Sequence, residues 1–279
     1  MTTPPGAWHL VVPVKGGPLA KSRLRVPRDT RVALADAFAR DTVAALASGA
    51  PGAVVAVVTG DPSVRAWAEL AGHLCVTDPG TGLNGAVAAG ADATGSDRIA
   101  VVLADHPALR PREVRSALDA AGRHTRTVLA DADDDGTALL TMPAGRPVRT
   151  AFGAGSAAAH ERLGHRRLIL DAPGLLRDVD DAASLAEAIR LGVGPHTSAA
   201  LARATLPGMQ GTIHRMTQDG SGSALLDDGV EVTVPAGAAV ASGLRHLRVG
   251  QRVSIELDAS GTTAERVWVV GIGPGESVA

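Results

Sequence analysis

The chain has 279 residues, of which 45% are hydrophobic and 20% are charged, and its formal net charge at pH 7 is −2. This composition is typical of a globular protein with one large or two smaller domains, and the near-neutral charge gives no overall attraction to nucleic acid or acidic membranes. The single cysteine, Cys75, excludes an intrachain disulfide framework and a cysteine-ligated zinc site. We find neither a basic leader with an apolar core nor an apolar run long enough to span a bilayer, so we expect a cytoplasmic protein without a membrane partner.

Short apolar runs alternate with helix-forming segments over the first two hundred residues. The runs predicted to be buried strands are 9–14, 53–59, 74–77, 99–104 and 127–130. The predicted helices are 29–48, 62–71, 84–93, 111–122 and 182–191. This alternation favours an α/β fold with a mostly parallel sheet and helices on both faces. Because ligands of such sheets bind at the carboxyl ends of the strands, Lys15, Asp78 and Asp105 are expected along one edge.

The pattern changes near residue 207 to short alternating runs separated by turn signals. Five strands are predicted there, at 210–215, 222–226, 230–234, 251–257 and 265–270. Five short strands with turns fit a small barrel of OB or cold-shock type. We therefore predict two domains, 1–206 and 208–279.

Such barrels bind nucleic acid through stacked aromatic side chains and a basic groove. The first two predicted strands of this one carry no aromatic residue, and residues 208–279 have five arginines against eight acidic residues. We therefore expect a packing or interaction module, with nucleic acid not a partner.

The first predicted strand runs into a loop that contains Gly16-Gly17-Pro18 and three cations, Lys15, Lys21 and Arg23. Glycine lets backbone N–H groups approach an anion, and the cations neutralise its charge. The loop matches neither a Walker loop nor a G-x-G-x-x-G motif. It is predicted to hold a polyphosphate, with a solvated basic loop as the alternative.

Asp105 ends a predicted buried strand at the ligand edge. Mg²⁺ binds few protein carboxylates and completes its shell with water and substrate phosphates, so this position suits it, although Asp105 could instead cap the following turn. Further along, strand alternation puts Asp178 and Asp180 on one face, and either could complete the metal site. Asp181 could cap the helix 182–191.

Three more segments could bind ligands or merely form turns. Residues 78–84 could be a turn with an N-cap, or a loop that reads a base and ribose with Asn84 as donor and acceptor. Ser156, after a glycine-rich run, lies at a helix start that could bind phosphate or carboxylate. The hydroxyl of Thr137 could hold a small acid.

Six motifs in this order resemble those of the guanylyltransferases of coenzyme F-420 biosynthesis. They are V-P-V-K…A-K-S-R-L (12–24), D-P-G-T-G-L-N (78–84), A-D-H-P-A-L (104–109), A-D…D-G-T (130–137), F-G-A-G-S…H (152–160) and D-V-D-D (178–181). The resemblance covers about residues 8–200. That family has a nucleotide-diphospho-sugar-transferase-like fold, and joins the GMP part of GTP to phosphoenolpyruvate or 2-phospho-L-lactate with release of pyrophosphate.

The resemblance implies a role for each matching residue. Lys15, Lys21 and Arg23 would hold the triphosphate, Gly82, Leu83 and Asn84 would lie at guanosine, Asp105 and Asp180 would hold Mg²⁺, and Thr137, Gly153 and Ser156 would bind the acid. The acid's phosphate oxygen would attack the α-phosphorus of GTP in line, and a phosphate that is already anionic needs no general base.

Phosphoenolpyruvate is the preferred acid, because family members with a cold-shock-like tail belong to that branch. The resemblance further implies a downstream F-420 transferase as partner, and the chain could be a homodimer. The alternatives are 2-phospho-L-lactate as acid, a molybdenum-cofactor-type nucleotidyltransferase, and a non-catalytic nucleic-acid-binding regulator. Two features depart from the family: His106 stands where members commonly carry leucine, and residues 131–135 include four aspartates.

Overall fold

A computed structural model describes residues 7–16, 21, 24, 26, 28–95, 98–143, 148–203, 209–241, 246–258 and 261–269. The chain divides into two compact units, Met1–Ala200 and Leu201–Ala279. The domain boundary predicted at residue 207 lies outside the described residues. Among the described residues, we find no helix with the length and apolar character needed to cross a membrane.

The first unit contains one seven-stranded sheet. Its strands are β1 (His9–Pro13), β2 (Val54–Thr59), β3 (Leu74–Thr77), β4 (Arg98–Val101), β5 (Thr127–Ala130), β6 (Thr137–Pro143) and β7 (Arg166–Arg167). They lie in the order β3-β2-β1-β4-β6-β5-β7. All neighbouring strands are parallel except β6, which is antiparallel to both β4 and β5. The predicted mostly parallel α/β sheet is confirmed.

The described residues up to Arg203 form eight helices, the last of which crosses the boundary between the two units. They are α1 (Arg28–Gly49), α2 (Pro62–Leu70), α3 (Leu83–Thr94), α4 (Pro111–Ala121), α5 (Ser156–Arg162), α6 (Pro173–Leu176), α7 (Ala182–Leu191) and α8 (Pro195–Arg203). Local signals explain why the predicted helices start where they do. Asp61 caps α2 by accepting from the Ser63 N–H, and Asp181 caps α7 by accepting from the Ser184 N–H.

Strand alternation sends side chains into two cores, one on each face of the sheet. Leu10 and Val12 of β1 belong to the core that also holds Val43 of α1, whereas Val11 belongs to the core that holds Val87 of α3. The helices on both faces therefore cover a sheet that is buried on both sides, as the near-continuous apolar strands predicted.

β4 is shorter than predicted. It ends at Val101 rather than at residue 104. One further backbone hydrogen bond joins Val102 to Val11 (3.2 Å), after which the chain leaves the sheet. Residues 103–105 therefore lie beyond the edge of the sheet.

We expect Gly90→Ala to destabilise the first unit by about 1–2 kcal/mol. A Cβ at this position of α3 would lie 2.5 Å from Val11 Cγ1 and 2.7 Å from Val58 Cγ2, so the helix would have to move off the sheet. Overpacking of this kind costs about 1–3 kcal/mol, which exceeds the gain of about 1 kcal/mol in helix propensity. Urea unfolding measures the change, and Gly60→Ala is the control because its Cβ would meet nothing within 4 Å. Equal stability of the two variants would contradict the expectation.

The second unit contains one five-stranded antiparallel sheet. Its elements are β8 (Met209–Met216), β9 (Gly222–Leu226), β10 (Glu231–Val234), α9 (Ala236–Ala241), β11 (Arg252–Leu257) and β12 (Ala264–Val269), with the strand order β10-β9-β8-β11-β12. The five predicted strands are confirmed. A closed barrel is not confirmed, because β10 and β12 at the two edges of the sheet do not pair along their length. Among the described residues, these edges are linked by one parallel bridge between Thr233 and Thr263, with a hydrogen bond from the Thr233 N–H to the Thr262 carbonyl (3.0 Å).

Candidate active site

Strand direction brings the candidate residues to one edge of the large sheet. β1, β4 and β5 end at this edge, and β6 begins there because it is antiparallel, with Ala130 opposite Thr137 and Val101 opposite Leu140. The loops that carry Asp105 and Asp131 therefore leave the sheet on the same side as the first residue of β6. Ligands of such sheets bind at this edge.

An open cleft of about 680 Å³ lies at this edge. Its lining comes from the end of β1 and the loop after it, from α1, from the loop before α3 and the first turn of α3, and from the segments after β4 and before α7. The lining residues are Pro13, Val14, Lys15, Lys21, Ala35, Phe38, Ala39, Asp78, Gly80, Gly82, Leu83, Ala86, Leu103, Ala104, Asp105 and Asp180. The cleft thus brings together six of the predicted site residues. Arg23 lies outside the described residues.

Three carboxylates form a cluster at the cleft, which we call the carboxylate cluster. One oxygen each of Asp105, Asp178 and Asp180 lies within 4.8 Å of the others. Lys21 Nζ lies 2.6 Å from Asp105 Oδ2 and 2.7 Å from Asp180 Oδ1. The Val179 N–H donates to the Asp105 carbonyl (2.9 Å) and so fixes the two aspartate-bearing segments to each other.

Burial and mutual repulsion shape the electrostatics of the carboxylate cluster. Burial, followed by the charges of Asp105 and Asp180, raises the pKa of Asp178 to about 7. Burial alone would also raise the pKa of Asp105, but the adjacent Lys21 ammonium outweighs it and the pKa is lowered. In the same way the two carboxylates overcome burial and raise the pKa of Lys21. One ammonium therefore faces three acidic groups.

The carboxylate cluster fits a hard divalent cation. Asp105 Oδ1 is buried and accepts no hydrogen bond from the described residues, which leaves a lone pair for another partner. Carboxylate oxygens at this spacing are the ligands that Mg²⁺ prefers. The alternation that put Asp178 and Asp180 on one face assumed a strand, but residues 177–180 form an irregular segment between α6 and α7. The structure nevertheless groups both aspartates with Asp105.

His106 is buried behind the carboxylate cluster, with its side chain 2% exposed and its Nε2 3.6 Å from Asp105 Oδ1. Burial lowers the pKa of this histidine, so the ring is neutral near pH 7. The Thr42 hydroxyl of α1 accepts from the His106 backbone N–H (3.1 Å) and donates to the Phe38 carbonyl (2.8 Å). The ring of His106 is therefore neutral and enclosed in the interior.

Asn84, in the first turn of α3, connects that helix to residues 150–152. Its Oδ1 accepts from the Thr150 hydroxyl (2.7 Å) and from the Phe152 N–H (2.9 Å), and its Nδ2 donates to the Phe152 carbonyl (3.2 Å). An amide has two donor hydrogens, so one N–H of Asn84 remains for a ligand. No sequence pattern had linked these two segments.

Thr137, Ser156 and His160 form a connected group of buried side chains, which we call the hydroxyl chain. Thr137 Oγ1 lies 2.9 Å from Ser156 Oγ and 3.0 Å from His160 Nδ1. His160 Nε2 accepts from the Ala151 N–H at 2.9 Å. Gly153, just before this helix start, has a φ of 142° that favours glycine. These residues do not line the cleft; they lie beside the segment that Asn84 holds.

The aspartates of the acidic stretch 131–135 make hydrogen bonds and ion pairs with other residues of this chain. The Asp131 carboxylate accepts from the backbone N–H groups of Asp133 (3.2 Å), Asp135 (3.1 Å) and Gly136 (2.8 Å). Asp135 Oδ2 accepts from the Gly155 N–H (3.0 Å).

The two remaining aspartates of the stretch pair with arginines. Asp133 pairs with Arg177 and Asp134 with Arg167. The stretch therefore builds the loop before β6 and supports the start of α5.

The stability of the first unit is expected to fall as the pH is lowered from 6.5 towards 4. Burial, aided by the charge of His165, lowers the pKa of His160 from 6.5 to about 4. Between these values the unfolded chain binds a proton that the folded protein does not, so the free energy of unfolding decreases with falling pH, by about 2 kcal/mol at pH 5. Urea unfolding at pH 7.5 and pH 5 measures the loss, and His160→Gln should remove this part of it. An unchanged pH dependence in that variant would contradict the assignment.

Comparison with known proteins decides the family. Residues 32–175 match the MobA-like NTP transferase domain. A phosphoenolpyruvate guanylyltransferase of Salinispora arenicola is 49% identical over 196 residues, which are 68% of this chain and 92% of that protein. A phosphoenolpyruvate guanylyltransferase of Geodermatophilus obscurus is 46% identical over 209 residues, which are 72% of this chain and 97% of that protein. The chain belongs to the phosphoenolpyruvate guanylyltransferase family. The family suggested by the six motifs is confirmed.

Solved structures confirm the fold implied for this guanylyltransferase family. A protein from Desulfovibrio desulfuricans G20 assigned as a nucleotide-diphospho-sugar transferase aligns over 71% of this chain and 95% of its own, with a TM-score of 0.56 and 19% identity. A nucleotidyl transferase from Methanothermobacter aligns over 67% and 98%, with a TM-score of 0.50 and 18% identity. At such identities the likeness shows the fold alone. The matches to the guanylyltransferases leave roughly three tenths of this chain unmatched.

Proposed function

We propose that this protein transfers the guanylyl group of GTP to phosphoenolpyruvate, forming enolpyruvoyl-2-diphospho-5'-guanosine and pyrophosphate. Family membership gives the reaction class, and guanylyltransferases at 42–49% identity carry phosphoenolpyruvate in their names. The observation that carries the proposal is the pairing of Lys21 with Asp105 and Asp180 inside a cleft at the ligand edge of the sheet. A place in coenzyme F-420 biosynthesis follows from the motif resemblance.

The cleft supplies separate features for the parts of GTP. Its volume of about 680 Å³ is within the range of small-molecule sites. Lys15 and Lys21 line it and neutralise the triphosphate, with Arg23 assigned the same role. Guanosine lies at Gly82, Leu83 and Asn84, where the free N–H of Asn84 is available to the base.

The carboxylate cluster is the proposed Mg²⁺ site, with Asp105, Asp178 and Asp180 as ligands. The short distances between the carboxylates and the unpartnered Asp105 Oδ1 support it. When bound, Mg²⁺ supplies positive charge next to the phosphates of GTP.

The chemistry requires positioning and charge neutralisation rather than a protein nucleophile. A phosphate oxygen of phosphoenolpyruvate forms a bond to the α-phosphorus of GTP. The bond from that phosphorus to the oxygen bridging towards the β-phosphorus breaks, and its electron pair leaves with pyrophosphate. The attacking phosphate is already anionic, so no side chain has to remove a proton. Lys15 and Lys21 stabilise the charge that develops on the leaving group.

Thr137, Gly153 and Ser156 are the proposed binding residues for the acid. Two hydroxyls and exposed glycine backbone lie together here, next to residues 150–152. Asn84 ties that segment to α3, which brings the proposed nucleotide and acid residues into one connected structure.

The deciding experiment supplies GTP with phosphoenolpyruvate or 2-phospho-L-lactate, with Mg²⁺ present or chelated, and follows pyrophosphate release. Because the guanylylated acid is expected to be labile, the downstream F-420 transferase is included to convert it, and mass spectrometry identifies the product. Product with phosphoenolpyruvate alone supports the proposal. Product with 2-phospho-L-lactate alone reassigns the acid. Turnover of CTP in preference to GTP would favour a molybdenum-cofactor-type enzyme.

For the second unit, we propose a partly closed OB-type barrel that serves as a packing or interaction module. The bridge between Thr233 and Thr263 supports closure, because it links the two edge strands of the five-stranded sheet. The excess of acidic residues argues against nucleic acid as its ligand. Salt-sensitive binding of single-stranded DNA by the intact protein would overturn this assignment. A homodimer stays a prediction.

A further inference from the structure

A backbone amide fixes the direction of the first hydrogen bond that leads into the hydroxyl chain. The Ala151 N–H can only donate, and it donates to His160 Nε2 at 2.9 Å. Nε2 therefore carries no proton. A neutral imidazole has one N–H, so the proton of His160 is on Nδ1. The ring is completely buried, and its pKa of about 4 keeps it neutral at physiological pH.

The protonated ring nitrogen points towards the two hydroxyls. Because His160 Nδ1 carries the hydrogen, Thr137 Oγ1 at 3.0 Å is an acceptor for it, alongside the Ser156 carbonyl. The Thr137 hydroxyl then has its own hydrogen to donate, and Ser156 Oγ, 2.9 Å away, is an acceptor within reach. When Thr137 donates to Ser156, each hydroxyl accepts from the group before it, and the hydrogen of Ser156 is left at the end of the hydroxyl chain.

The ring is also fixed in orientation. Phe152 packs edge-on against His160 with ring centroids 4.9 Å apart, and His165 does so at 5.6 Å. A 180° flip of the ring about χ2 would put Cδ2 in place of Nδ1 and Cε1 in place of Nε2, and so would lose the contacts to both Ala151 and Thr137. Packing therefore fixes the orientation of the ring, and in that orientation the Ala151 N–H selects the tautomer.

We propose that His160 is a positioning residue for the acid substrate, because it orients the hydroxyls of Thr137 and Ser156 so that Ser156 offers a hydrogen to the anion. This inference rests on the proposed function, which places the acid at these residues. If the direction were reversed, Ser156 would present an oxygen lone pair to a carboxylate or phosphate and would repel it. Ser156 itself is 2% exposed, and Gly153 and Ala154, three and two residues before it, are exposed, so the buried end of the hydroxyl chain lies close in sequence to accessible backbone.

The first test is spectroscopic and does not depend on turnover. The chemical shifts of the ring nitrogens in ¹⁵N-histidine-labelled protein distinguish the two neutral tautomers, and the signal lost in His160→Gln identifies the residue. We expect the tautomer with hydrogen on Nδ1. Hydrogen on Nε2, or a charged ring at pH 7.5, would overturn the proposal whether or not the proposed reaction is correct.

The second test compares two variants by steady-state kinetics. Glutamine retains one acceptor and one donor and so keeps the direction of the hydroxyl chain, whereas His160→Met fills the space without either. Loss of a hydrogen bond to an anion predicts an increase of about 10- to 100-fold in the KM for phosphoenolpyruvate in His160→Met. The KM for GTP should change less than about threefold, and His160→Gln should largely restore the wild-type value. Equal changes in both KM values, or no rescue by glutamine, would overturn the proposal.

A double-mutant cycle tests whether His160 acts through Ser156. Ser156→Ala removes the terminal donor, so His160→Met in this background should leave the KM for phosphoenolpyruvate unchanged. An equal increase in KM in both backgrounds would overturn the proposal. If His160→Met folds poorly, the tautomer measurement, which does not use that variant, still tests the proposal. If the wild-type protein turns over neither acid, the proposed function has failed, and the tautomer measurement still decides the direction of the hydroxyl chain.

Discussion

Replacing Asp105 with asparagine is expected to lower kcat by about 10²- to 10³-fold, the size of effect seen when a group that stabilises transition-state charge is removed. Asparagine keeps the shape of the side chain but removes its negative charge. The partner of Lys21 Nζ at 2.6 Å would lose its charge, and the carboxylate cluster would lose one of its three acids. Both losses act on the proposed phosphate-binding side of the cleft. The rate of pyrophosphate release at saturating GTP and phosphoenolpyruvate measures the effect.

The matched control is Asp133→Asn, which removes a charge of the same sign from an exposed side chain. Asp133 pairs with Arg177 at 3.5 Å and is 75% exposed, so we expect its removal to change kcat less than twofold. Circular dichroism spectra of both variants should match the wild type. A folded Asp105→Asn protein with more than a tenth of the wild-type kcat would exclude Asp105 from the catalytic site.

Glu113→Ala is expected to destabilise the first unit by about 3–4 kcal/mol. The Glu113 carboxylate is 5% exposed and accepts from two backbone N–H groups: that of Arg110 at 2.8 Å and that of Gly174 at 2.9 Å. Alanine would leave both donors without this partner, and an unsatisfied buried donor costs about 1–3 kcal/mol. The cavity left by the side chain adds to the loss.

Urea unfolding followed by tryptophan fluorescence measures this effect, and a Trp268→Phe background makes the fluorescence specific for the first unit. In that background only Trp8 and Trp67 remain, and both belong to the first unit. Glu69→Ala serves as the control, because Glu69 is 56% exposed and reaches Arg65 only at 3.5 Å, so its loss should cost less than about 0.5 kcal/mol. If the two variants are equally stable, the two hydrogen bonds of Glu113 contribute nothing measurable.

Local signals explain why so much of the fold could be predicted from sequence. The caps at Asp61 and Asp181 and the apolar strand runs depend on residues within a few positions of each other. The direction of β6 carries no such signal, because an apolar run reads the same in a parallel and an antiparallel strand. That direction is nevertheless what brings Thr137 to the edge where β4 and β5 end.

Contacts between distant parts of the chain explain what sequence missed. Asp41 lies inside α1, where it resembles an ordinary surface acid, yet its two carboxylate oxygens accept from the N–H groups of His196 (3.0 Å) and Thr197 (2.7 Å) at the start of α8. Asn84 likewise bonds to residues 150–152, more than sixty positions away. Among the site residues, alternation identified Asp178 and Asp180 as a pair, but only the folded chain brings them to Asp105.

The position of Lys21 bears on how a divalent ion would enter the proposed site. The ammonium already touches Asp105 and Asp180, so the site holds an internal counter-ion whose backbone adopts the left-handed conformation, with φ of 53°. Loading of an ion would then be a cation exchange, in which the Lys21 ammonium would give up contacts with Asp105 and Asp180 as the ion gained them. Because Lys21 compensates part of the acidic charge without an ion, we expect chelation to leave the protein folded.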